Sequence, residues 1–215
     1  GEGTYSFHGG TATLNVEDNS RVSVADTLQL FDDAVVNLNS VGAGVITVGE
    51  VSADPAGYSG SMLIGSGGIL SGRGTINGDV YNLGGTIAPG FSPGSVTING
   101  DFHLGSSGIL DLEIGGLATG LYDQLLVNGD VFLDGTLNLI FIDDFLPEMD
   151  DLLTDLISFD TLTRGSNFNL TFSGLNNDWK YEALFGTSSF DLRSLSDASA
   201  PVPEPSTLLL LSSGL

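Results

Sequence analysis

The sequence predicts an all-β fold in which short strands coil into a parallel β-helix. One turn signature recurs along the chain, and apolar residues alternate with polar ones around it. Glycine is about twice as frequent as usual, at 31 of 215 residues, without the three-residue period of collagen. Such glycines serve turns between strands. We expect a short α/β C-terminal cap and a flexible tail after the strands.

The recurring signature is a tetrad of one β-branched residue followed by Asn-Gly-Asp. It occurs at 76–79, 98–101 and 127–130, so its glycines lie 22 and 29 residues apart. Asn and Gly tolerate positive φ, so each pair predicts a sharp turn between two strands. The predicted repeat turns are Asn77, Gly78, Asn99, Gly100, Asn128 and Gly129.

Two architectures suit many short strands with glycine turns. A hairpin sandwich places a strand every 8–12 residues or so and joins them by short loops. A solenoid repeats after roughly 20 residues or somewhat more, and the 22-residue step favours it. The 29-residue step then indicates one turn plus an insertion at 115–122. We expect β-helix repeats over residues 1–142.

Residues 143–195 are expected to form a terminal cap with one short helix and strands. Within 145–159, Pro147 stands at a suitable first helical position, and the apolar residues after it have helical spacing. They are Leu152, Leu153, Leu156 and Ile157. Alternating patterns then return, and a cap of this kind would close the open end of a solenoid.

Charge and cysteine content exclude several functions. The chain has 27 acidic and 5 basic residues, a formal net charge of −22. Nucleic-acid binding depends on Lys and Arg replacing counterions, so we expect no nucleic-acid partner. Cysteine is absent, which removes disulfides, thiolate metal sites and cysteine nucleophiles.

The sequence predicts no catalytic residues and no cofactor. The five basic residues are scattered, whereas β-elimination of a uronate needs a clustered set. Glycoside hydrolysis needs only two carboxylates. However, Asp79, Asp101 and Asp130 hold equivalent turn positions, and repetition fits a structural task better. We therefore expect a protein without enzymatic activity, with a polysaccharide-active enzyme as the weaker alternative.

No metal site is predicted either, although calcium remains an open alternative at one cluster. Five carboxylates fall within residues 143–151 without the spacing of an EF-hand loop. The start of the predicted helix accounts for them through the helix dipole. They are Asp143, Asp144, Glu148, Asp150 and Asp151.

One region resembles a known class of exported repeat protein. The stretches GGTIAPGFSPGSVTINGDFHL (84–104) and YDQLLVNGDVFLDGTLNL (122–139) are similar to passenger-domain repeats of autotransporter adhesins. The resemblance covers roughly residues 65–142. It implies an extracellular right-handed parallel β-helix, and it implies no single activity because such passengers differ in function.

The tail resembles the PEP-CTERM sorting signal of exported bacterial proteins. Its motif residues are Val202, Pro203, Glu204, Pro205, Ser206 and Thr207. The resemblance implies an exosortase-like membrane peptidase as a partner. The apolar run after the motif ends at Leu215, short of the roughly 20 residues of a membrane-spanning helix. We therefore interpret 196–215 as a linker plus a truncated signal, and expect membrane contact only through the missing C-terminal helix.

Together these patterns predict an exported structural protein at the cell surface or in the extracellular matrix of a Gram-negative-type bacterium, associated with exopolysaccharide. The alternatives are a glycan-binding adhesin and an autotransporter passenger fragment. For an adhesin, turn-proximal aromatic residues are the candidate sugar contacts. They are Tyr58, Tyr81, Phe91 and Tyr122.

Overall fold

The computed structural model describes residues 5–7, 12–17, 20–39, 44–48, 60–90 and 93–199, and within these ranges the protein is all-β. The described residues form 21 strands and no helix. The first sixteen are β1 (Tyr5–Phe7), β2 (Thr13–Glu17), β3 (Arg21–Val24), β4 (Leu28–Leu30), β5 (Val35–Asn39), β6 (Val45–Val48), β7 (Ser61–Ile64), β8 (Ile69–Asn77), β9 (Asp79–Asn82), β10 (Thr86–Pro89), β11 (Ser95–Asn99), β12 (Phe102–Leu104), β13 (Ile109–Ile114), β14 (Gln124–Val127), β15 (Asp130–Leu133) and β16 (Thr136–Phe141). The last five are β17 (Leu152–Ser158), β18 (Thr161–Arg164), β19 (Asn169–Ser173), β20 (Tyr181–Phe185) and β21 (Ser189–Ser194).

The strands form two sheets. Seven parallel strands make the smaller sheet, in the order β1-β4-β7-β9-β12-β15-β18. In the 14-stranded sheet, the long strand β8 joins two parallel series, β2-β5-β8-β10-β13-β16-β19 and β3-β6-β8-β11-β14-β17. The second series continues through β21 and β20, which pair antiparallel. The larger sheet is therefore mixed.

The interior consists of columns of apolar side chains that run across neighbouring strands. In strands such as β10, β13 and β16 every second residue is buried, which is why the period-two pattern of the sequence indicates the core. One fully buried column contains Val36, Leu70, Ile87, Leu110 and Leu137.

A single asparagine interrupts another buried column. Asn82 is fully buried next to Ile64 and Leu104 in the smaller sheet. Its amide nitrogen donates to the Ile109 carbonyl at 3.0 Å, and its oxygen accepts from the Gly85 N–H at 2.9 Å. Because both ends of the amide are satisfied, the polar side chain is tolerated in the core.

The predicted insertion is present. The pairing offset rises from 23 residues at Ile87↔Leu110 to 29 at Val96↔Leu125, which places six additional residues between these positions. The excursion closes where Ile114 forms an antiparallel bridge with Tyr122.

The predicted short helix is wrong, because its leucine-rich part forms strand β17. The strand carries a register shift between Leu153 and Ile157, and Asp155 within it has φ +54°. This irregularity changes the alternation, so that Leu153, Leu156 and Ile157 are all buried. Buried residues at such positions reproduce helical spacing in the sequence. Pairing with β14 and β21 decides the strand conformation.

Aromatic side chains pack over the last turns of the larger sheet. Trp179 meets Phe141 and Phe172 edge-on, with ring centroids 5.4 and 5.3 Å apart. Its indole N–H donates to the Ser194 hydroxyl at 2.8 Å. The predicted division at residue 142 stays a prediction, although parallel pairing continues across it through β17, β18 and β19.

Candidate functional site

The three tetrads lie next to one another at the turns between the two sheets. In each of them Asn ends or directly follows a strand of the larger sheet, and Asp begins or directly precedes a strand of the smaller sheet. The Asn99 side-chain amide donates to the side-chain oxygen (Oδ1) of Asn77 at 2.7 Å, and the Asn128 side-chain amide donates to Oδ1 of Asn99 at 2.7 Å. Asn77 in turn donates to the Thr47 hydroxyl at 3.0 Å. We call this hydrogen-bonded column, from Thr47 to Asn128, the asparagine ladder.

The aspartates of the tetrads form a second column beside the first. The Asp79 carboxylate accepts from the Asp101 N–H at 2.8 Å, and the Asp101 carboxylate accepts from the Asp130 N–H at 2.9 Å. The Thr161 hydroxyl donates to the Asp130 carboxylate at 2.8 Å. Each carboxylate thus binds the turn that follows it along the stack.

The tetrad glycines are required for different reasons. Gly78 has φ +128°, as the Asn-Gly pattern predicts. Gly100 and Gly129 do not have positive φ, so close approach explains them instead. A Cβ on Gly129 would lie 2.4 Å from the Gly100 carbonyl oxygen, and a Cβ on Gly100 would lie 2.7 Å from that of Gly78. Of the three tetrad glycines, only Gly78 therefore has the positive φ that Asn-Gly pairs tolerate.

A cleft of about 270 Å³ lies elsewhere on the larger sheet, and three carboxyl groups line it. Asp111 and Glu113 are alternate residues of β13, so both side chains leave the same face. Asp123 comes from the segment just before β14 and is only 1% exposed. Sequence reasoning missed these three residues, because none of them stands in a repeated tetrad or in a catalytic motif.

Asp123 holds two backbone segments together. Its carboxylate accepts from the Gly94 N–H at 2.6 Å and from the Glu113 N–H at 2.8 Å. Burial nevertheless raises the pKa of Asp123 to about 7, against the lowering effect of these two bonds and of Arg73. The cleft therefore contains a carboxyl group that is protonated over a wider pH range than an exposed aspartate.

The second acid of the cleft is also perturbed. Burial raises the pKa of Asp111, although the hydrogen bond from Asn138 acts in the opposite direction. Carboxyl groups that differ in surroundings within one cleft are the requirement for acid–base chemistry on a glycoside. Anchoring of Gly94 and Glu113 through their N–H groups is the structural role that the same geometry supports for Asp123.

The smaller sheet carries a column of three aromatic rings, a phenol, an imidazole and a phenyl ring. Tyr81 and His103 are stacked with centroids 5.6 Å apart, and His103 and Phe132 lie 4.3 Å apart. Burial lowers the pKa of His103, while the Asp134 carboxylate acts in the opposite direction. The ring faces therefore cover one another rather than presenting a flat surface to solvent.

Of the predicted sugar-contacting aromatics, Tyr122 does not suit that role. It is 3% exposed, and its hydroxyl donates to the Thr154 carbonyl at 3.0 Å. Tyr81 is half-buried in the ring column described above. Tyr58 and Phe91 lie outside the described residues.

The acidic cluster at 143–151 serves turns rather than a helix start. Asp143, Asp144 and Asp150 have φ between +54° and +70°. The Asp151 carboxylate accepts from the Glu148 N–H at 2.7 Å. Across the described ranges, no group of three or more His, Asp or Glu side chains is arranged to hold a metal ion.

The predicted sorting residues Val202–Thr207 lie outside the described part of the chain. Among the residues with described structure, no helix is long and apolar enough to cross a lipid bilayer. No protein-family model matches the sequence, and a search of curated proteins finds no significant match.

Proposed function

We propose that the protein is an exported structural protein of a bacterial surface or extracellular matrix, built as a right-handed parallel β-helix. The observation that carries the structural role is the asparagine ladder with its parallel column of aspartates. The proposal of export comes from the tail motif, and that of right-handedness from the resemblance to passenger repeats.

The pairing pattern supports a coil. Three parallel series recur in chain order, one in the smaller sheet and two in the larger. The chain therefore visits each series once before it returns to the first, with β8 serving both series of the larger sheet. Parallel strands stand 4.7–4.9 Å apart, so seven stacked strands extend over about 30 Å. A crystal structure with left-handed strand connections would contradict the proposed winding.

The asparagine ladder and the column of aspartates stiffen such a coil, because they bond each turn to the next through side chains as well as backbone. Within the tetrads, the carboxylates accept backbone hydrogen bonds from the following turn. They therefore act as structural groups rather than as catalytic ones. The net charge of −22 keeps such an element hydrated and repels anionic surfaces.

Export is tested by following the tail in the native bacterium. The mass of the C-terminus is measured for protein from envelope and medium fractions, with Pro203→Ala/Glu204→Ala as the altered motif. Pro147→Ala, outside the motif, is the matched control. A chain processed near residues 203–206 and found outside the cell supports the proposal, and the double variant should remain unprocessed. An unprocessed tail in the wild-type chain would overturn the sorting hypothesis.

The acidic cleft favours a second candidate function, hydrolysis of a polysaccharide. Asp123 would donate a proton to the leaving oxygen, and Asp111 or Glu113 would act as the carboxylate partner. The test is release of reducing ends from neutral and acidic polysaccharides by the purified chain. Activity that Asp123→Asn reduces by about a hundredfold or more would support this candidate. Equal rates for the wild type and this variant would exclude it.

A further inference from the structure

An uncharged cleft of about 280 Å³ lies at the C-terminal end of the larger sheet. Its lining combines aromatic rings with amide and hydroxyl groups. The aromatic members are Phe172, Trp179 and Tyr181. The polar members are Thr171, Asn176 and Asn177.

The three rings form one packed group. Phe172 and Tyr181 have centroids 4.3 Å apart, and Trp179 and Tyr181 stack at 5.5 Å. The Trp179 indole N–H donates to the Ser194 hydroxyl, and this buried hydrogen bond fixes the orientation of the ring. Tyr181 is 38% exposed and forms the accessible part of the group.

Two of the polar lining residues already form hydrogen bonds within the protein, and the third is exposed to solvent. The Asn176 oxygen accepts from the Asp178 N–H at 2.9 Å, and Thr171 donates to Asn138 at 3.0 Å. The Asn177 side chain is exposed at the rim. Its amide can both donate and accept, which suits a ligand rich in hydroxyl groups.

We propose that this cleft binds an uncharged pyranose unit of a polysaccharide. The apolar C–H face of a sugar ring packs on an aromatic surface, and its hydroxyls bond to amides. None of the lining residues is charged, although the chain carries 27 acidic residues. An anionic sugar would find no cationic partner there and would be repelled by the protein as a whole. The inference rests on the proposed surface or matrix role and deepens the association with exopolysaccharide that the sequence predicts.

The single tryptophan of the chain makes the test direct. Trp179 fluorescence is followed while the full chain is titrated with hexasaccharides of glucan, mannan and galactan, and separately with oligogalacturonate. We expect a saturable change with at least one neutral sugar and none with the uronate. Tyr181→Ala should weaken binding about tenfold, whereas Tyr181→Phe should retain it within about twofold.

Two further variants separate a sugar contact from damage to the fold. Asn177→Ala removes an exposed amide and should weaken binding while leaving the thermal unfolding curve unchanged. Tyr81→Ala, in the ring column of the smaller sheet, should bind as the wild type does.

If Trp179 fluorescence does not change with any of the three neutral sugars, the proposal is overturned. Preferential binding of the uronate would overturn it as well. Loss of binding in Tyr81→Ala but not in Tyr181→Ala would also overturn it, while leaving glycan association itself intact. Export is measured independently, so its failure is distinguishable from failure of this site.

Discussion

Replacement of Gly129 by alanine tests the stacking of the tetrads most directly. The added Cβ would lie 2.4 Å from the Gly100 carbonyl oxygen and 2.6 Å from the Asp101 carboxylate. Both distances are well below van der Waals contact, and the nearer atom is backbone. The turn at 127–130 must therefore move away from the turn at 98–101.

The cost follows from what this movement disrupts. Overpacking of a tight site costs about 1–3 kcal/mol. The displaced Asp101 carboxylate also loses its bond to the Asp130 N–H, which contributes about 1–2 kcal/mol. Lower entropy of the unfolded chain returns about 0.4–1 kcal/mol. The expected net loss is about 1–5 kcal/mol in the free energy of unfolding.

Urea denaturation followed by far-ultraviolet circular dichroism measures this loss. Gly84→Ala is the matched control, because its Cβ would meet no atom closer than 3.5 Å and its φ is not positive. We expect the control to unfold within about 1 kcal/mol of the wild type. Equal stability of the two alanine variants would refute the argument that the tetrad turns are in close contact.

Further predictions concern the ladder, the acidic cleft and a buried hydroxyl. Asn99→Ala should destabilise the protein by about 1–2 kcal/mol and Asn128→Ala by about half as much, because Asn99 makes two ladder bonds and Asn128 makes one; equal losses in urea denaturation would contradict the ladder. The pKa of Asp123 is raised to about 7, so between about pH 4 and 7 the folded chain retains a proton that the unfolded chain releases. Protonation of Asp123 therefore stabilises the folded chain at low pH, and this stabilisation is lost as pH rises through the window. Asp123→Asn should remove this pH dependence, because asparagine does not titrate. A wild-type minus variant difference in urea midpoint that is flat over this pH range would contradict the assignment. Tyr122→Phe should cost about 1 kcal/mol in thermal unfolding, since the hydrogen bond from the buried tyrosine to the Thr154 carbonyl is lost; an unchanged melting temperature would show that the bond is dispensable.

The repeats and the alternation could be recognised from sequence because they are local and periodic. The tetrads at 76–79, 98–101 and 127–130 do pair as neighbours, with Asn77 opposite Asn99. The insertion before Tyr122 was detectable from the longer repeat step alone. By contrast, the helix prediction failed because a bulge at Asp155 gives a strand the apolar spacing of a helix.

The candidate sites were harder to predict, since each depends on residues distant in sequence. Asp123 becomes buried only when it accepts the N–H of Gly94 across the stack. The C-terminal cleft forms only when Trp179 and Tyr181 fold against Phe172. No local pattern around these residues distinguishes them from ordinary strand and loop residues.

By itself, the sequence determined the all-β class, the recurrence of the turns and the acidic character of the protein. Local propensities and a strict period are sufficient for these, because every repeat meets the same environment. Only the tertiary structure explains why positions 100 and 129 require glycine. It also decides which carboxyl group is buried and which aromatic side chains line a cleft. Those properties depend on distances of a few ångströms between separate turns, and spacing along a chain does not contain that information.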